Sequence, residues 1–289
     1  MTVLLIRIMV GCFAMLPMKV VYVLSDMLYL LFRYIVKYRR KVIQLNLRNS
    51  FPKSSEKEID DLTNRFYRYF SDLILETMKG FSFGEADWQT RFIYKNPEIF
   101  DSLYQQKKSA ILLGSHYGNW EWGGISFPLA VKHKVIGAYK PIKNRKVETY
   151  LNDFRKKRGL HLTNMKFAGR AVIENKNEPV IFVFIADQTP SDVQNAHWLT
   201  FLNQDTPFLH GAAKLASKTG YPVFHYKINR MKRGFYEVEF EEICGSPESL
   251  SPPDITSLYA KHLERMISQN PPFWLWSHRR WKRKRPNKI

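Results

Sequence analysis

The sequence predicts an α/β fold: a mixed central sheet flanked by helices, preceded by an N-terminal helical segment that associates with a membrane. Three observations predict it. From residue 109 onward, short apolar runs rich in β-formers alternate with stretches of helical periodicity, the pattern of a sheet covered by helices. Before them lies one long amphipathic stretch, and before that a mostly apolar N-terminus.

Residues 3–36 carry charge only at Arg7, Lys19, Asp26 and Arg33, and Pro17 divides them. Each half is a run of about 16 residues, short of the roughly 20 that span a bilayer. The segment therefore reads either as one tilted span or as a helical pair lying in the interface. A basic cluster follows at Lys37, Arg39, Arg40, Lys41 and Arg48. If the segment spans, the excess of cations behind it keeps the rest of the chain in the cytoplasm. No small-residue cleavage site follows a compact apolar region, as a cleaved signal peptide requires.

Residues 56–80 read as a helix, with Ile59, Leu62, Phe66, Phe70, Leu73 and Ile74 three or four apart. Ser54 or Ser55 caps its start and Gly80 ends it. Strands are predicted over 109–114, 135–139, 180–186, 223–228 and 236–243, and helices over 145–158, 166–175, 207–219 and 254–268.

The balance of 45 Lys+Arg against 26 Asp+Glu gives a net charge of +19, which calls for a polyanionic partner: nucleic acid, an anionic membrane surface or an acidic carrier. Nucleic acid is the weakest of these, because no finger, RNA-recognition or P-loop pattern occurs and the apolar N-terminus is left unexplained. Two cysteines, Cys12 and Cys244, make neither a disulfide framework nor a zinc site. His116, His133 and His161 are too scattered for a recognisable metal-ligand set. A serine hydrolase would need a G-x-S-x-G elbow, and none is present.

The segment 110–121, AILLGSHYGNWE, is the most informative. An apolar strand ends at Gly114 and polar, glycine-rich residues follow at once, where α/β proteins place their active sites. On a continuous helix the H-x4-E spacing would set His116 and Glu121 roughly 140° apart. The pair makes sense if His116 lies in the loop and Glu121 in a helix starting near Asn119. Glu121 then reaches back to one imidazole nitrogen, fixes the tautomer, and leaves the other nitrogen as a general base.

The block GSHYGNWEWGG resembles the H-x4-D/E signature of glycerolipid-type acyltransferases, in the form used by the late acyltransferases of lipid A biosynthesis. Five further blocks resemble that family in the expected order: RRKVIQLNLRNSFP (39–52), AYKPIKN with FRKKRG (138–144, 154–159), IADQ (185–188), GAAKLASKTGYPV (211–223) and WLWSHRRWKRKRP (274–286). The sequence departs from the pattern at Lys140, where the family usually has Arg and where a bidentate anion contact is therefore lost. It also lacks a Gly-rich run between Pro190 and Asp205.

The resemblance implies an O-acyltransferase that moves a fatty acyl chain from an acyl carrier protein or coenzyme A thioester to a hydroxyl of an anionic lipid, with no metal or organic cofactor. Lysophospholipids and aminolipids are alternative acceptors, and a thioester hydrolase is an alternative activity. His116 would be the base and Glu121 its orienting partner. The backbone at Gly118 and Asn119, or Lys140, would face the developing oxyanion. Asn119, Lys140, Asn144, Arg155, Arg158, Arg170, Asp187 and Gln188 are the candidate substrate-binding residues, with Lys143 a further cation. The C-terminal mixture of Trp274, Trp276 and Trp281 with Arg279, Arg280, Lys282 and Arg283 suits a membrane interface or an acidic carrier. Residues 1–40 would form the anchor and 41–289 the catalytic domain, on the cytoplasmic face of the inner membrane.

Overall fold

A computed structural model describes residues 2–286. The chain opens with helices α1 (Thr2–Met15) and α2 (Met18–Leu30), separated at Leu16 and Pro17; α2 continues into a wider π turn, Leu31–Ile35. Pro17 lacks the N–H that a continuous helix would use, so the chain restarts there. Among the described residues no helix is long and apolar enough to cross a membrane. Helix α3 (Arg40–Ser50) follows, then the long α4 (Glu56–Gly80). The capping residue of α4 is Ser55: its hydroxyl accepts from the Glu58 N–H, and the Glu58 carboxylate accepts from the Ser55 N–H at 2.7 Å, so two otherwise unpaired donors are satisfied reciprocally.

The remaining elements, in order, are α5 (Glu85–Arg91), β1 (Phe92–Tyr94), α6 (Asp101–Gln105), β2 (Ala110–Gly114), α7 (Trp120–Ser126), β3 (Lys134–Tyr139), α8 (Arg145–Lys156), β4 (Leu160–Asn164), α9 (Ala168–Glu174), β5 (Val180–Ile185), β6 (His197–Phe201), β7 (Gln204–Phe208), α10 (Gly211–Thr219), β8 (Val223–Lys232), β9 (Phe235–Cys244) and α11 (Pro252–Gln269). Seven strands form the central sheet in the order β1-β9-β8-β2-β5-β3-β4. It is mixed, as the sequence predicts: β8 and β9 pair antiparallel and every other neighbour is parallel.

The central strands are buried on both faces. Ile111 and Leu113 of β2 pack with α4, α10, α11 and the C-terminal tryptophans; Ala110 and Leu112 pack on the other face with α5, α7, Phe224 and Phe240. This is why β2 and β5 read as unbroken apolar runs rather than alternating ones.

The structure differs from the sequence reading in three respects. The helix expected over 207–219 begins only at Gly211, because Pro207 and Phe208 belong to β7, which forms a separate antiparallel hairpin with β6. Leu202 and Asn203 both have positive φ (49° and 61°) in its two-residue turn, the twist such a turn requires. Strands β1, β4 and β6 are not among the predicted ones: β1 and β4 are sheet edges and β6 lies in the separate hairpin, each too short or too mixed in polarity to stand out. The C-terminal aromatic and cationic cluster is not the surface that the sequence pictured. Trp274, Trp276 and Arg280 are buried, and of the cluster's cations only Arg279, Lys282 and Arg283 are exposed. The tryptophans fill the gap between α3, α4 and the sheet, and Asn46 of α3 donates to the carbonyls of Trp276 (2.9 Å) and His278 (3.0 Å).

Candidate active site

Strands β2 and β5 pair parallel with Gly114 opposite Ile185, so the residues just beyond their C-terminal ends emerge side by side. This register brings His116 to Asp187. The His116 Nδ1–H donates to Asp187 Oδ1 at 2.6 Å, and the His116 backbone N–H donates to Asp187 Oδ2 at 2.9 Å. Asp187 also accepts from Trp274 Nε1 at 2.8 Å. Since a carboxylate only accepts, the proton sits on Nδ1 and Nε2 keeps its lone pair. The side chain of Asp187 is 2% exposed and that of His116 20% exposed.

The loop that carries His116 is pinned on both sides. The Gly114 carbonyl accepts from Tyr259 Oη (2.7 Å) and from the Ala186 N–H (3.0 Å). The Gly118 N–H donates to the Phe273 carbonyl (2.9 Å), and the Gly118 carbonyl accepts from Tyr69 Oη (2.7 Å). Two glycines make the path possible. A Cβ at Gly114 would collide with Tyr226, and Gly118 has φ +60° with Ile228 where a Cβ would sit, a conformation that costs glycine little.

Burial opposes protonation of His116, but the Asp187 carboxylate, its hydrogen bond and the charge of Glu121 outweigh burial and hold the imidazole pKa above its ordinary value. Burial likewise opposes ionisation of Asp187, yet His116, its N–H and Trp274 hold the carboxyl below the usual range. The pair is thus built to favour an imidazolium beside a carboxylate, the state a general base enters when it takes a proton.

Nε2 faces a cavity of about 370 Å³, lined largely by apolar side chains, among them Leu112, Phe127, Val135, Val183 and Phe240. It runs under α7 along the face of the sheet opposite α4. Trp120, Glu121, Lys140, Arg155 and Gln188 also line it. Among the described residues no three His, Cys, Asp or Glu side chains gather as a metal-ligand set.

Glu121 does lie in a helix that starts just after Asn119, as the spacing requires, but it does not hold His116. The Nδ1 position belongs to Asp187, and Glu121 Oε2 instead accepts from Arg155 Nη2 at 3.1 Å. The sequence separation of 71 residues between His116 and Asp187 hides the closer partner from any local spacing argument. Gln188 lies with its Nε2 3.0 Å from His116 Nε2. Lys140 is exposed at the mouth and pairs with no carboxylate among the described residues.

The other candidates do not converge on the cavity. Asn119 is buried; its Oδ1 accepts from the Trp122 N–H as the cap of α7, and its Nδ2 donates to Glu76 at 2.8 Å. Asn144 caps α8 through the Val147 N–H. Arg158 stacks on the Phe154 ring at 3.6 Å and donates to the Phe83 carbonyl. Arg170 is tied to Glu174 on the exposed face of its own helix. The Gly118 N–H, a candidate oxyanion donor, is taken by Phe273. Ser115 is fully buried and does not line the cavity, so it is not placed to act as a nucleophile.

Several supporting residues have no role at the site in the sequence reading; of them only Trp274 is singled out there, and as part of a C-terminal surface cluster. Trp274 positions Asp187; Tyr69 and Tyr259 fix the loop carbonyls; Glu76 accepts from Tyr22 (2.9 Å), Asn119 and Tyr236 (2.6 Å), linking α2, α4 and β9 to the start of α7. Tyr22, Tyr69, Tyr236, Tyr259 and Glu76 are marked by their convergence rather than by any local pattern.

No curated protein matches the chain significantly. The sequence profile of a family described as bacterial lipid A biosynthesis acyltransferase matches residues 1–283. With essentially the whole described chain inside that match, and its first-noted block forming the loop that presents His116 to the cavity, the protein belongs to the bacterial lipid A biosynthesis acyltransferases.

Proposed function

We propose that this protein is an O-acyltransferase that moves a fatty acyl chain from an acyl carrier protein thioester, or less often coenzyme A, to a hydroxyl of a lipid A precursor. The observation that carries this reading is the imidazole itself: Nδ1 is tied to a buried carboxylate, and Nε2 opens onto an apolar cavity able to take a hydrocarbon chain. In this reading the chain lies in the cavity with its thioester carbonyl at the mouth. His116 Nε2 removes the acceptor hydroxyl proton as the oxygen attacks the carbonyl carbon. The C–S bond then breaks, and the imidazolium returns the proton to the leaving sulfur. Asp187 holds the tautomer and stabilises the cationic ring.

Lys140 and Arg155 supply positive charge where the carbonyl oxygen turns anionic and where an anionic headgroup would arrive. Glu121 orients Arg155 and adds negative potential at His116. Gln188 Nε2 lies 3.0 Å from His116 Nε2, and in this reading it gives way to the acceptor hydroxyl. Attachment to the cytoplasmic face of an anionic inner membrane is supported by α1 and α2, which leave Leu4, Leu5, Ile8, Val23, Met27 and Leu30 exposed, an apolar surface of the kind that enters the interface. The basic cluster that follows them agrees with this side.

The test is transfer of labelled acyl chains from acyl carrier protein, in detergent, to a tetra-acylated lipid A precursor, a lysophospholipid and an aminolipid. His116→Ala should lose about 10²–10⁴-fold in rate while remaining folded, at some cost in melting temperature because Asp187 is left buried without its partner; Glu121→Ala should also fall. Transfer that survives His116→Ala would overturn the mechanism. Acylation of another acceptor in preference would move the substrate, and release of free fatty acid with no acceptor labelled would make the protein a thioester hydrolase.

A further inference from the structure

The cavity beside His116 ends at the edge strand β1, against Phe92, Tyr94, Phe127 and Phe240. Immediately beyond lies a second cavity of about 280 Å³, lined by Trp88, Pro97, Ser126, Leu129 and again by Phe92 and Tyr94. The two spaces share these two side chains, which stand between them.

Phe92 is 2% exposed and packed into the core. Tyr94 is the side chain that is only half-buried, reaching the inner cavity from one side and the outer from the other. Its ring stacks on Phe240 (5.8 Å between centroids, 5° between planes) and leans on Phe127 (5.9 Å). Its hydroxyl donates to the Gly123 carbonyl at 3.2 Å and lies 2.9 Å from Ser126 Oγ. Both partners belong to α7, the helix that roofs the cavity. β1 has only three residues and pairs with β9 alone. Of the two side chains between the spaces, Phe92 is fixed in the core and Tyr94 is held by its latch to α7 on a strand paired on one side only.

We propose that Tyr94 sets the length of the acyl chain this protein selects, by closing the far end of the cavity against the space behind it. The proposal rests on the acyltransfer reading: with the thioester carbonyl at His116, the methyl end of the chain points toward β1. A chain one step too long must push the ring off Phe240 and break its hydrogen bonds to α7. One methylene too many in a closed apolar pocket costs about 10–200-fold in selectivity.

The experiment charges acyl carrier protein with saturated chains from decanoyl to octadecanoyl and measures transfer to the tetra-acylated lipid A precursor. The parent, Tyr94→Ala and the double variant Tyr94→Ala with Leu129→Trp are compared. Tyr94→Ala joins the two cavities, so the preferred chain should lengthen and the ratio of longer to parental-length transfer should rise about tenfold or more. Leu129→Trp fills the outer space and should cancel that gain, whereas alone it should leave the parental preference in place. Thermal melting checks folding; if Tyr94→Ala does not fold, Tyr94→Leu carries the same prediction with a smaller shift. A folded variant with the parental chain-length profile overturns the proposal. No transfer of any chain by the parent is a different result, and overturns the acyltransfer reading on which the proposal stands.

Discussion

Two groups of buried carboxylates stand among the described residues, and they are built differently. In the first, Asp72 accepts from Ser25 (2.6 Å), Arg230 (2.5 Å) and Arg233 (2.6 Å), while the adjacent Glu76 accepts from Tyr22, Asn119 and Tyr236. Each carboxylate is saturated, and the group sits where α2, α4 and the β8–β9 hairpin meet. In the second, Asp187 is saturated in the same way, but its partner His116 keeps Nε2 directed at a cavity, covered only by the exposed Gln188. Saturating both carboxylates with donors makes a joint. Leaving one lone pair open in an otherwise closed group makes a site. The difference is also electrostatic: burial lifts the Glu76 carboxyl above its ordinary value despite Arg230, whereas His116 and its hydrogen bonds hold Asp187 ionised.

Breaking the open group should have the largest effect on activity. Asp187→Asn removes the charge that raises His116, and transfer should fall about 10²–10⁴-fold. His116 must be neutral to act as base, so activity in the parent should rise with pH through a midpoint above the ordinary histidine value, and Asp187→Asn should move that midpoint to lower pH. A midpoint that stays put would separate Asp187 from His116. The stability linkage runs the other way. The raised pKa of His116 contributes stability that is complete below the ordinary value and is lost as pH rises through the elevated one; a pH series of melts reads it.

Breaking the closed group should cost stability instead. Arg230→Ala strips a buried cation from Asp72 and Glu76 and should destabilise the fold by about 3–5 kcal/mol, read by denaturant unfolding. Glu76→Gln should cost less, because burial already favours its neutral form. Equal losses would mean that Glu76 is ionised in the fold and that its pairing with Arg230 matters as much as that of Asp72. The smallest effect belongs to Gln188→Ala, which removes one exposed hydrogen bond to Nε2 and should change the rate by no more than about tenfold. A larger loss would make Gln188 a binding residue rather than a placeholder.

Much of this was legible in the sequence. The unbroken apolar runs of β2 and β5, the amphipathic α4 with its capping serine, and the strand-to-loop transition at Gly114 announced an α/β sheet with His116 at its edge. The ordered blocks announced the family. What escaped was non-local. Glu121 seemed the partner of His116 because it is near in sequence, and the actual partner is delivered by the pairing of β2 with β5. Asn119, Asn144 and Arg158 looked like ligand contacts because they are polar and follow strands, but helix N-termini and ring faces claim them.

The sequence by itself determined the strands β2, β3, β5, β8 and β9 and the amphipathic α4, because period and burial of apolar residues are local properties that survive without a partner; the edge strands β1 and β4 and the β6–β7 hairpin carry no such pattern. It also determined that His116 would stand in a loop after a buried strand. Only the tertiary structure decided which carboxylate meets the imidazole, that Trp274 and Arg280 are interior, and that Phe92 and Tyr94 stand between two cavities. Those facts depend on strand register and on residues far apart in the chain, and register is set by packing over the whole sheet rather than by any one segment.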